Sequence, residues 1–444
     1  MAPPRWTNWS GELTCSPARI ERPVSTAELA AIVRRAAAEG HRVRPVGSGH
    51  SFTPLVPTDG VLLDLALMDA LLDVDREAGR VRVQGGIRLH QLTAALDRRG
   101  LALANLGDID RQALAGALAT GTHGTGATLP GLAAQVTALQ LVDGRGQVHE
   151  LTRDAADRAE RDAFLAAVVG LGAIGIVTEV DLEVVDAYTL RGEDGAEPLA
   201  EVLDTFHERA AAHRHFEAYV FPYSDTAWTR ANDVVDAPRA PRHPARAWAE
   251  DRLLTTHVFE GLCRLGGRAP GTIPTINRLT SKLAGTGTRV DAWHRIFASA
   301  RDVRFTEMEL SLPREQGLDF VRELLERIER ERFEVVFPIE LRTTAADDAL
   351  LSTSHGRDSL YVAVHNHVRL PHKRLLAAAW ELAQDHGTVR PHWGKRHPAS
   401  AAELAPRYPG WGRFAAVRAR MDPGAVLAND HLDVVLGAVG QHQP

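Results

Sequence analysis

At 444 residues, with 44% hydrophobic and 24% charged residues, the chain has the composition of a soluble globular protein and is too long for one ordinary core, so two or three domains are expected. A net charge of −6 and a pI near 6.4 argue against the basic stripe that a general nucleic-acid surface needs. Cys15 and Cys263 stand in unrelated contexts, so neither a disulfide framework nor a zinc site is supported; no apolar run approaches transmembrane length, and the opening MAPPRWTNWSGE has no signal-peptide core, so a cytoplasmic protein is expected.

In chain order, Ser25-Thr26-Ala27-Glu28 reads as a capping box, with Leu29, Ile32, Val33 and Ala36 on one helical face and Gly40 as the stop. A strand over 42–46 then runs into Val46-Gly47-Ser48-Gly49-His50-Ser51, whose two glycines permit φ > 0 and let N–H groups face a phosphate. Alone, this hexapeptide reads equally well as a Gly-rich turn with a surface histidine. A strand is expected at 61–65, a hairpin from 71–75 and 80–84, and a helix through Leu89, Leu92 and Leu96 stopped by Gly100. A short helix over 111–119 leads into Ala119-Thr120-Gly121-Thr122-His123-Gly124-Thr125-Gly126, with three glycines, three threonines and a second histidine in eight residues. Two such loops suggest one extended ligand held at two places. A second hairpin (136–142 and 148–151), a helix over 162–169 and the small-residue run Gly170–Gly175 before a strand over 176–185 complete an α+β region.

Beyond residue 186 the texture changes. Strands are expected at 215–221, 305–312, 334–342 and 359–368, helices at 313–333 and 372–386, and an exposed loop from Pro238 to Pro244. This order suggests a second α+β domain with an antiparallel sheet.

Neither standard phosphate motif is present: Phe52 stands where a Rossmann fingerprint needs its third glycine, and no Gly-Lys-Ser/Thr occurs. Glu340 and Arg342, two apart on one strand, point to one face, where they could bind hydroxyls or form a solvent-facing pair. His365 and His367 are paired the same way; a third metal ligand is not apparent, so no metal is expected. Pro391-His392-Trp393-Gly394-Lys395 could set an ammonium beside an anionic ring system or could be a loop around a packed Trp.

Taken in order, these pieces resemble one family. Gly47–Ser51, Asn105-Leu106-Gly107-Asp108, Ala119–Gly126, Gly170–Gly175, Phe337–Arg342 and His392–Lys395 are similar to the FAD-dependent sugar-1,4-lactone oxidoreductases: L-gulono-1,4-lactone dehydrogenases and oxidases, D-arabinono-1,4-lactone oxidases and alditol oxidases. The likeness to the L-gulono-1,4-lactone dehydrogenases extends to Asn8–Glu12 and Arg304–Glu309. The resemblance implies the two-domain vanillyl-alcohol-oxidase (PCMH-type) FAD-binding fold. Residues 1–185, completed by 391–444, would form the FAD-binding domain, and 186–390 the substrate cap.

It also implies roles. FAD would be joined covalently through His50 and held by Val46, Gly47, Ser48, Gly49 and Ser51, by Gly107 and Asp108, and by Ala119, Thr120, Gly121, Thr122, His123, Gly124 and Gly126. Gly175 and Ile176 would flank the adenosine half, and His392 and Lys395 the ring. Glu340, Arg342, His365 and Lys395 would be catalytic, with hydride passing to flavin N5, His365 or Glu340 taking the hydroxyl proton, and an ascorbate-type product from a 1,4-lactone. The electron acceptor, oxygen or another, would depend on a small residue near Ala117–Thr120, and His367 departs from the family pattern. An alditol oxidase acting on xylitol or sorbitol is the alternative enzyme; a flavin-holding electron-relay protein is the alternative from another class, disfavoured by the polar Glu340/Arg342 pair.

Overall fold

The computed structural model describes residues 4–242, 257–283, 286–298 and 303–440. Its N-terminal part carries two sheets. Arg19–Glu21, Val61–Asp64 and Val43–Val46 form a small parallel sheet, with the central strand covered by the helix Thr26–Ala38. That helix starts as expected, the Ser25 hydroxyl accepting from the Glu28 N–H, while the Glu28 carboxylate caps Val24 rather than Ser25. Beside it lies an antiparallel sheet in the order Val148–Thr152, Val136–Val142, Ile176–Glu183, Arg80–Gln84, Leu71–Asp75. The expected hairpin 71–84 is present with the bounds expected.

The remainder is built on one eight-stranded antiparallel sheet, ordered Gly287–Ala292, Thr189–Pro198, Thr226–Val234, His215–Val220, Ile339–Thr344, Ser359–His367, Phe305–Pro313, Arg390–Pro391. The helices Leu199–Ala212, Gly317–Glu331 and Lys373–Ala383 bury apolar residues on its back, among them Phe206, Phe320, Val321 and Trp380. The strand expected over 334–342 begins only at Ile339: it is paired on both edges, and Pro338, lacking an N–H, cannot extend an interior ladder. The helix before it ends at Arg332, which takes φ 54° as a left-handed cap. The strands Thr189–Pro198 and Thr226–Val234 and the helices Phe259–Arg268 and Ile273–Leu283 were not expected. Of the loop from Pro238 to Pro244, residues 238–242 carry no regular structure, and 243–244 lie outside the described residues.

The C-terminal segment returns to the N-terminal sheets. Val43 N–H donates to Val426 O at 2.7 Å, and the Asn429 side-chain amide donates to the carbonyls of Pro54, Leu55 and Pro57 at 3.0–3.2 Å. Arg44, 1% exposed, binds four carbonyls at once: Leu55, Leu171 and Gly172 from the N-terminal half and Leu427 from the tail. Burying a guanidinium is costly unless its N–H groups are satisfied, and these carbonyls do that while tying three loops together.

Candidate active site

Where these loops meet lies a cleft open to solvent. Six glycines line it (Gly47, Gly49, Gly85, Gly116, Gly172 and Gly175) together with short residues such as Ala113 and Ala119. The loop after strand Val43–Val46 is turned so that its carbonyls face away: Gly49 O accepts from Trp9 N–H at 2.8 Å and Ser51 O from the Asn8 amide at 3.0 Å. Gly49 sits at φ 69°, and a Cβ there would come 3.2 Å from the Trp6 ring. Among the described residues, none of the five backbone N–H groups from Gly47 to Ser51 donates a hydrogen bond. Consecutive unpaired N–H groups on the wall of a cleft form an anion-binding nest, and a dinucleotide diphosphate fits that demand.

His50 closes one end of the cleft, its ring 5.5 Å from that of Trp9. Burial, then the charges of Lys395 and Arg88, bring its pKa down to about 4, so its imidazole is neutral at pH 7. The next residues fasten this loop to the C-terminal segment: Phe52 N–H donates to Gly394 O at 2.7 Å and Thr53 Oγ1 to Trp393 O at 2.8 Å. Trp393 is anchored through Nε1 to Leu351 O at 2.7 Å, and a Cβ on Gly394 would sit 3.4 Å from Ser51 Oγ and Thr120 Cβ. Lys395 is thereby delivered over the Phe52 ring, beside His50.

Lys395 faces a buried row of charged residues on the front of the large sheet. Glu340 and Arg342 are 4% and 6% exposed, so they are not a solvent-facing pair. Arg342 bonds Glu340 through Nη2, Glu217 through Nε at 3.1 Å, and Asp108 at 3.3 Å. Burial works against its charge, but Asp108, Glu340 and Glu217 outweigh it and hold the guanidinium well above its ordinary value. Lys395 Nζ bonds Glu307, whose other oxygen lies 3.4 Å from His365 Nε2. Burial raises the Glu307 carboxyl, yet Lys395 and His365 prevail and bring it to about 2; burial likewise opposes the Lys395 charge, and Glu307 and Glu309 hold it above the usual ammonium range. His365 Nε2 is also 4.0 Å from Glu340, and its Nδ1 is 3.3 Å from Pro338 O. His367 turns instead to Glu260 at 3.0 Å.

Of the residues expected at the cofactor, Val46–Ser51, Ala119, Thr120, Gly175 and Ile176 line the cleft. The others are not among its lining residues and make contacts of their own. Asp108 reaches Arg342. Gly107 and Gly124 lie where two loops cross, a Cβ on Gly124 meeting Leu106 O at 2.3 Å. Gly121 takes φ 77° just after the helix Leu114–Ala119, and Thr122 Oγ1 accepts from Gln112. Gly126 N–H donates to Thr343 O, docking its loop on the sheet. His123 pairs with Glu309 at 3.2 Å and stacks on Tyr361, with His392 alongside. His123, Glu309 and His392 bring three potential metal ligands within 4.8 Å of one another. His392 Nδ1, however, accepts the Gly394 N–H at 3.1 Å, which leaves the proton of a neutral ring on Nε2 and no lone pair there for a metal. Sequence reasoning gave no role to Arg44, Glu217, Glu307 or Glu309.

The family model for D-arabinono-1,4-lactone oxidase matches residues 180–435, and that for an FAD binding domain matches 17–152. The chain belongs to the D-arabinono-1,4-lactone oxidase family. This family member is 42% identical over 438 residues to an L-gulono-1,4-lactone dehydrogenase of Mycobacterium tuberculosis, covering 98% of this chain and 99% of the relative. It is 32% identical to an alditol oxidase of Streptomyces (96% and 97% covered) and 30% identical to an L-gulonolactone oxidase of Bos taurus (97% and 98%). Its fold matches that of cholesterol oxidase from Brevibacterium sterolicum with a TM-score of 0.82 at 18% identity, over 97% of this chain and 96% of the other, which is the vanillyl-alcohol-oxidase fold the sequence implied. Among the described residues no helix is long and apolar enough to cross a membrane.

Proposed function

We propose that this family member oxidises a hydroxyl of a sugar 1,4-lactone of the L-gulono or D-arabinono type, with FAD held in the glycine-lined cleft. The observation that carries the reading is the meeting of the Gly47–Ser51 nest with the Glu340/Arg342 face through Lys395, bonded to Glu307 on that face and near His50 at the end of the cleft. FAD bound there supplies the two-electron acceptor for the hydride leaving the alcohol carbon. The flavin-binding unit is residues 1–185 with 391–444, and the cap is 186–390.

The residues of the chain do the rest. Glu340 and Arg342 bind and orient the sugar hydroxyls, a carboxylate accepting and a guanidinium donating. Arg342 and Lys395 place two fixed positive charges where negative charge collects as hydride leaves. The hydroxyl proton goes to His365 Nε2 or to the Glu340 carboxylate, 4.0 Å apart. His50, neutral at pH 7, presents a ring nitrogen lone pair, the form needed for a covalent bond to the flavin 8α-methyl. Two cysteines, neither in a disulfide, agree with a cytoplasmic protein.

The test is anaerobic mixing of the yellow holoenzyme with L-gulono-1,4-lactone, D-arabinono-1,4-lactone and xylitol. Bleaching by a lactone supports the reading; bleaching by xylitol alone makes the protein an alditol oxidase, and bleaching by none removes the enzyme reading. Parallel turnover with oxygen and with an artificial dye identifies the acceptor class.

A further inference from the structure

Four adjacent strands of the large sheet carry charged residues directly opposite one another: Asp194 faces Arg230, Arg230 faces Glu217, and Glu217 faces Arg342. Directly opposed side chains stand about 5 Å apart at Cβ, so this rung alternates in sign toward the active site. The contacts are made: Arg230 Nε to Asp194 at 2.8 Å, Arg230 Nη1 to Glu217 Oε1 at 3.4 Å, and Arg342 Nε to Glu217 Oε2 at 3.1 Å. The Tyr219 hydroxyl donates to the same Oε1 at 3.1 Å, and the Arg230 guanidinium lies over the Trp228 ring at 4.8 Å. Glu217 and Arg342 side chains are 8% and 7% exposed, so these bonds are largely shielded from bulk solvent.

The two oxygens of Glu217 thus have separate employers. Oε1 is held by Arg230 and Tyr219, and only Oε2 is left for Arg342. That division lets Glu217 take the Nε edge of Arg342 and no more, leaving the Nη groups turned to Glu340 and Asp108 at the substrate face. A carboxylate released from Arg230 would take the guanidinium in a bidentate grip through Nε and Nη, the geometry that carboxylates and guanidinium groups prefer.

We propose that Arg230 is a positioning residue for the oxidation: acting through Glu217, it fixes the rotation of the Arg342 guanidinium that meets the sugar hydroxyls. The inference rests on the proposed lactone oxidation. It concerns a residue on the third strand of the sheet, two strands away from Arg342.

The test compares Arg230→Met, Arg230→Lys and Arg230→Gln holoenzymes by crystal structure and by anaerobic flavin reduction across lactone concentrations. In Arg230→Met the Arg342 guanidinium is expected to rotate onto both oxygens of Glu217, and the limiting reduction rate to fall by about 100-fold, the scale of an ångström-sized misplacement, with little change in the lactone concentration giving half that rate. Arg230→Lys, which keeps the charge, is expected to recover most of the rate. An unmoved guanidinium in Arg230→Met, a lysine variant as slow as the methionine one, or a fall in melting temperature with an unchanged limiting rate each overturns the proposal. Should Arg230→Met fail to fold, Arg230→Gln, polar but without the charge, is read by the same criteria. Wild-type protein that no lactone reduces removes the proposed function, and the crystallographic comparison still decides this inference.

Discussion

Lys395 is the partner of a buried carboxylate and, in the proposed function, a charge at the reaction centre, and Lys395→Met separates the two roles through pH. The Glu307 carboxyl, 2% exposed, is brought from 4.5 to about 2, first against burial and then by Lys395 and His365. A difference of that size corresponds to about 3 kcal/mol of preference for the charged form in the folded state. Because the folded value is depressed, this stability is present above the unfolded carboxyl value near 4.5 and is lost as pH falls toward 2. Without Lys395 burial prevails, the folded value rises above the unfolded one, and the sign reverses: stability is lost as pH rises through the new value. At pH 7.5 Lys395→Met is expected to cost about 3–5 kcal/mol, the penalty for a buried charge robbed of its partner. Urea unfolding followed by tryptophan fluorescence should show the midpoint lowered by about 1 M or more, given slopes of a few kcal/mol per molar. Between pH 7.5 and 5.5 the variant should regain stability relative to wild type, and adding Glu307→Gln should restore most of the loss. A deficit that is the same at both pH values would refute the reasoning.

Four further outcomes follow from the same contacts. Acid-precipitated wild-type protein should stay yellow and His50→Ala should release its colour to the supernatant; a colourless wild-type pellet removes the covalent bond and leaves the cleft. Arg342→Ala should slow anaerobic flavin reduction by at least about 100-fold, as lost charge stabilisation does, while flavin content stays near wild type; equal loss of both would show that Arg342 belongs to the cofactor. Glu340→Gln and His365→Asn should differ in the pH dependence of flavin reduction: whichever removes the acidic limb of the profile has removed the base, and a limb surviving both excludes the two candidates. Gly124→Ala, with its Cβ 2.3 Å from a backbone carbonyl, should destabilise by about 1–3 kcal/mol and be measured by the urea midpoint; an unchanged midpoint would mean the crossing loops yield freely.

What was legible in the sequence was whatever a short window contains. The capped helix after Ser25, the hairpin 71–84 and the strand carrying Glu340 and Arg342 are local patterns, and a spacing of two put that pair on one face. Their burial was not legible, because it depends on strands from elsewhere covering both edges. Thr189–Pro198 escaped notice because it lacks the apolar alternation of a half-buried strand: Gly192, Asp194 and Gly195 pair across the sheet with residues near 230 and 290, and the charge of Asp194 is neutralised only there. Glu217 and Glu307 are unremarkable glutamates until Arg342, 125 residues away, and Lys395, 88 residues away, come against them. The second glycine and threonine loop stands out by composition, but that its far end docks on the large sheet, Gly126 N–H donating to Thr343 O, depends on a strand more than 200 residues away.

Arg44 and the Asn429 amide reach across nearly the whole length of the chain, and that imposes an order on synthesis. The nest loop leaves the ribosome early, but the carbonyl of Leu427, the Asn429 clamp and the Trp393–Gly394 rail that brace it are translated more than 300 residues later. A nascent chain stalled anywhere before that point holds a cradle with its bracing missing. Cofactor loading is therefore expected only after residue 429 has emerged, and a chain cut before Trp393 should be apoprotein even though every glycine of the cleft is intact.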